Sequence, residues 1–89
     1  MPKKGESLEE ILGKLKDDLR FCEESLKREV RIELVIKILD EILHYAEKVR
    51  GESSSSLKDE VEAIITRARL LYHRAVALNA LKEREEARG

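Results

Sequence analysis

Apolar residues recur along this chain at intervals of three and four, the signature of helices with one buried face. The first stripe is Leu8, Ile11, Leu12, Leu15, Leu19, Cys22 and Leu26. Ser7 with Glu10 forms a capping box ahead of it, each side chain placed to satisfy the other's backbone N–H. A second stripe runs Ile32, Val35, Leu39, Ile42, Ala46 and Val49, and a third runs Leu57, Val61, Ile64, Ala68, Leu71, Ala75 and Leu78, widened by Ile65 and Tyr72. After Leu78 the pattern fails, because Asn79 and Lys82 fall on the core line.

The spacing predicts helices over residues 7–24, about 28–50, and 57–84, with residues 1–6 and 85–89 as frayed ends of a single domain, 1–89. Stripes one and two point in nearly opposite directions if extended as one helix at about 100° per residue. This argues for a turn around Ser25–Glu29, with Ser25 as the N-cap of helix 2. No Gly or Pro marks that turn, so one long helix over 7–50 is the alternative. Gly51 suits a helix C′ position with positive φ, and Ser56 suits an N-cap with Asp59 and Glu60 at the positive end of helix 3. The fold class is therefore all-α: an antiparallel three-helix bundle, or alternatively a long helical hairpin that dimerises into a four-helix bundle. Its core is expected to hold Leu12, Leu15, Leu19, Cys22, Val35, Leu39, Ile42, Ala46, Val49, Val61, Ile64, Ala68, Leu71 and Ala75.

Some apolar residues lie off these stripes. Helix 3 carries a second ridge, Ala63, Leu70, Ala77 and Leu81, roughly 120° round the wheel from the first. Helix 2 carries Leu34, Ile38 and Tyr45 on a flank. A three-helix bundle buries about one face per helix, and surplus apolar surface points to a partner. These seven residues are the candidate interface, with a second copy of the chain as the first candidate partner and another protein as the second.

Composition narrows the function classes. Of 89 residues, 42% are charged, yet 18 Lys and Arg offset 19 Asp and Glu, for a net charge of −1. That balance argues against bulk electrostatic binding to nucleic acid or anionic lipid. No apolar run approaches the roughly 18 residues of a membrane span. With no apolar segment after its basic start, the N-terminus does not read as a secretory signal. One cysteine permits no internal disulfide, which suits a reducing, cytoplasmic setting. The absence of Gln, the single Thr and the abundance of Glu, Lys and Arg suit a natural thermophile protein or a de novo designed bundle; the tidy caps favour design.

Candidate chemistry is sparse. His44 and His73 fall opposite their stripes, with residue 44 expected near residue 63 of an antiparallel helix 3, so the two imidazoles do not converge on one ion. Cys22 lies among leucines, where a thiol behaves as a small hydrophobe. Glu41 and His44 make one Glu-x-x-His spacing, but a di-metal bundle needs two, facing inward. Glu10–Lys14, Glu23–Lys27, Glu24–Arg28 and Glu33–Lys37 are spaced for solvent-side ion pairs. No catalytic, cofactor-binding or metal-binding residue is assigned.

Residues 63–82 contain no acid but hold Arg67, Arg69, His73, Arg74 and Lys82. Their scatter over two sides does not make the single stripe a phosphate backbone prefers. Leu70-Leu71-Tyr72-His73 with Val76 and Leu78 resembles the last helix of the phosphoribosyl-ATP pyrophosphatase family, which implies an all-α, magnesium-dependent hydrolase. Thr66 and Arg69 stand here where that family places acidic metal ligands, so the metal site is missing. Arg67 followed by His73 resembles the Arg-to-His motif of the helical nucleases of toxin–antitoxin pairs, which implies an RNA-cleaving site. The reading preferred is a non-enzymatic scaffold or interaction module. Its alternative is a small natural thermophile protein acting as a nuclease-like or nucleic-acid-binding helical domain.

Overall fold

The computed structural model describes residues 8–51 and 55–88. Three helices, α1 (Leu8–Arg28), α2 (Ile32–Arg50) and α3 (Ser55–Arg88), pack against one another as a three-helix bundle. The chain is not the long hairpin, because α1 ends before α2 begins. Lys16 of α1 pairs with Glu60 of α3 at 3.4 Å, and Glu23 pairs with Arg67, so α1 and α3 run parallel. Arg50 pairs with Glu62 at 3.0 Å while Arg31 and Ile32 meet Asn79 and Lys82, so α2 runs antiparallel to α3. Such exposed pairs add little stability, but they record the register. Glu23 reaches across to α3 rather than along α1 to Lys27, and no ion pair joins Glu24 to Arg28 or Glu33 to Lys37.

The turn lies later than the sequence suggested. α1 runs through Ser25 to Arg28, and Ser25 is buried inside it rather than capping α2. Glu29 has φ 54°. Its N–H donates to the Leu26 carbonyl at 3.1 Å, and the Val30 N–H donates to the Ser25 carbonyl at 3.0 Å. These two bonds are the Schellman pattern, with Glu29 in the left-handed position that glycine usually fills. Arg31, with φ 54° and ψ 38°, is the N-cap of α2 and gives it no side-chain cap. The turn needed no Gly because two polar residues accept the left-handed backbone, each at a cost.

Other boundaries shift for local reasons. Gly51 sits in right-handed backbone, φ −67° and ψ −21°, not at positive φ. α3 begins at Ser55, so Ser56 lies inside the helix, and Asp59 and Glu60 fall beyond its first turn, which holds no acid. At the other end α3 stays helical to Arg88, past the expected end at residue 84. Ser7, with its capping box, residues 1–6, most of the 52–56 loop and Gly89 lie outside the described residues.

The expected core residues are buried, with one exception and three additions. Leu71 is half-buried and packs against the core rather than within it. Leu26, Ile32 and Ile65 join the core at 2%, 4% and 2% exposure. Leu26 and Ile32 brace the turn from either side. Ile65 moves the centre of the α3 core face, so the ridge Ala63–Leu70–Ala77–Leu81 lies nearer the back of the helix. The molecule measures 51 × 22 × 20 Å. A helix of 34 residues spans about 51 Å at 1.5 Å per residue, so α3 sets the long axis.

Candidate functional site

Two surfaces stand out once the core is subtracted. The first is the back of α3. Leu70 is 68% exposed and Leu81 is 54% exposed, the two most exposed large apolar side chains among the described residues. Ala63 and Ala77, also exposed, lie seven residues either side of Leu70, so all four residues line up along the helix. Arg74 borders this ridge on the side nearer α1, beside Arg67. Arg69 lies about 100° round the wheel from Leu70, towards the α2 seam. Arg67 is engaged with Glu23, while Arg69 and Arg74 make no ion pair with another described residue.

The second surface is a groove of about 290 Å³ between α1 and α2. Ile11 and Leu15 of α1 with Ile38, Ile42 and Tyr45 of α2 form its apolar lining. Glu10, Asp18 and Glu41 rim it against the single basic Lys14. The α1 residues that reach α3, Lys16 and Glu23, lie on the other side of the α1 wheel from Lys14 and Asp18. The groove therefore opens away from α3.

The seven candidate interface residues divide between these places. Ala63, Leu70, Ala77 and Leu81 form the exposed ridge. Ile38 is half-buried, packs against the core and lines the groove with the more exposed Tyr45. Leu34 is 44% exposed and borders a different cavity, about 240 Å³, where Arg31 and Ile32 meet Asn79, Lys82 and Glu83. Asn79 donates from Nδ2 to Glu83 Oε1 at 3.0 Å there. The apolar stripe of α3 gives way to polar residues where α3 passes the start of α2. The sequence pattern did not mark the groove that Ile11, Asp18 and Glu41 line. Ile11, at the edge of the first stripe, stands seven residues before Asp18, the one signal that could have marked it.

Neither histidine belongs to a cluster. His44 and His73 are both exposed. The register of Arg50 with Glu62, and of Arg31 beside Lys82, sets His44 opposite the region of Ala68 rather than Ala63. His73 meets Tyr72 edge-on, ring centroids 6.3 Å apart. Among the described residues no group of three or more His, Cys, Asp or Glu could hold a metal ion. Cys22 is fully buried. Burial pushes its thiol up to about 11, and the nearby Asp18 carboxylate adds to the rise, so little reactive thiolate exists at neutral pH.

The residues thus define an all-α three-helix bundle that presents one apolar ridge and one apolar groove of opposite charge. No family model, no curated protein and no solved structure matches the chain. No helix among the described residues is long and apolar enough to cross a membrane.

Proposed function

We propose that the protein works by binding rather than by catalysis, as a helical-bundle module that associates with copies of itself. The observation that carries this reading is the exposure of Leu70 and Leu81 in line on a helix whose core face is already satisfied. Transferring a leucine side chain out of water is worth about 1.5–3 kcal/mol, so a face with two of them gains from being covered. A helix that lays an apolar face into a groove is a recurrent mode of recognition. Among the described residues Cys22 is buried and both histidines are exposed outside any metal-binding cluster, which fits a binding role.

The origin of the sequence bears on what the partner is. Charge-dense helix faces favour a designed bundle, but Glu29 and Arg31 at positive φ run against idealised backbone practice. A natural sequence under mixed constraints accommodates them more readily.

Replacing Leu70 and Leu81 by Glu tests the reading. Both side chains are mostly solvated in the single chain, so far-UV circular dichroism should keep its helical amplitude. Solution mass should fall to that of one chain, 10.3 kDa. An assembly whose mass is unchanged by the double substitution would remove the ridge from any role in association.

A further inference from the structure

Resting on that self-association, we propose that assembly is head-to-tail: the Leu70 ridge of one chain docks in the α1–α2 groove of a second copy.

Charge supports this pairing. The groove rim carries three carboxylates, of which Asp18 and Glu41 matter most here, against one ammonium. The ridge lies in a stretch, residues 63–82, that has no carboxylate. Arg69 and Arg74 flank Leu70 within about one turn. Docking would bring them to the acidic rim, where charge complementarity fixes register and raises the association rate.

Shape supports it as well. On α1 the groove spans Glu10 to Asp18, an interval of eight residues, and on α2 Ile38 to Tyr45, an interval of seven. Each is about 10–12 Å, roughly two helical turns. Ala63 to Leu70 and Leu70 to Ala77 repeat the α2 interval. One large side chain enters, and the alanines a heptad away on either side let the two backbones approach closely.

Direction decides between symmetries. The groove opens away from α3, and the ridge lies on the outward side of α3, so the two sites face opposite ways. A twofold dimer needs one self-complementary patch, whereas sites on opposite faces join successive copies into a ring or a filament. The rival twofold arrangement, ridge on ridge, would bring two copies of the same basic stretch together, with no acid within residues 63–82 to offset them.

Sedimentation velocity on the unmodified chain, two variants and the mixture of those variants tests the proposal. The ridge variant is Leu70→Glu and the groove variant is Asp18→Arg with Glu41→Arg. Each alone should stay at the mass of one chain while circular dichroism shows unchanged helicity. Mixed one to one, the intact groove of the first should accept the intact ridge of the second. The mixture should then form a species of twice 10.3 kDa that does not grow with concentration. If the charge-reversed groove lowers helicity, Glu41→Arg alone replaces it, with association expected to weaken at least about tenfold, some 1.4 kcal/mol. If the unmodified chain associates but the mixture stays at single-chain mass, the head-to-tail arrangement is overturned and self-association stands. If the unmodified chain never exceeds 10.3 kDa, both fall.

Discussion

Where α2 meets α3, α3 brings Ala68 and Ala75 to the core and α2 brings Ala46, all with no exposed surface. To the same core α1 brings the larger Leu12, Leu15, Leu19 and Leu26. The α2–α3 seam is the most extensive in the molecule, and the α1–α2 seam carries the groove. Interaxial distance follows the size of the side chains at the contact. Alanines at 46, 68 and 75 suit a close approach of α2 and α3, while beside α1 a cleft remains that Ile38 and Tyr45 line. The same economy that closes one side of the bundle opens the other.

Hollowing out what both seams share should have the largest effect. Leu39 has no exposed surface and sits at the middle of α2. Leu39→Ala should cost about 2–5 kcal/mol, a large share of the roughly 5–15 kcal/mol available to a domain. Tyr45→Ala, on the open groove, should cost about 1 kcal/mol or less. Paired urea titrations would check the contrast, and equal losses would mean the groove residues are as tightly packed as the core. Next in size is overfilling the closed seam. Ala68→Leu should destabilise by about 1–3 kcal/mol, measured the same way, because α2 and α3 would have to separate to admit it.

Two substitutions sharpen the picture by firming α1. Glu29→Gly relieves a left-handed residue that costs roughly 1–2 kcal/mol, partly offset by the greater freedom of glycine in the unfolded chain. A net gain of about 0.5–1 kcal/mol should appear as a higher denaturation midpoint. Gly13→Ala should give a similar or smaller gain, about 0.5–1 kcal/mol. A Cβ built there meets no atom within 4 Å outside the local helix. A loss of stability at either site would show that the exposed side of α1 is more constrained than its surroundings indicate.

Much of the architecture is legible before any coordinates. The 4-3 spacing of each stripe names the buried faces, because burial on a regular helix must repeat with its period. The ridge through Leu70 is legible for the same reason, as apolar residues that repeat on the wrong side. The turn is not. Its Schellman bonds are backbone bonds, and the residue at the left-handed position is Glu29 rather than a glycine that would announce it. Leu26 was on the stripe but not in the predicted core, because the helix was expected to end before it. Ile65 was missed because it lies beside the stripe, on the side that α2 covers. The groove was illegible because its depth depends on the spacing between axes, which no single helix encodes. Asp18 and Glu41 therefore read as two more solvated carboxylates until α1 and α2 are set side by side.

Absolute mass of the unmodified chain by light scattering, across a concentration series at low and high salt, tests the central claim most directly. The mass should climb above 10.3 kDa as concentration rises, and fall back when salt screens Arg69 and Arg74 from the acidic rim. A mass fixed at 10.3 kDa over the whole series would contradict that claim.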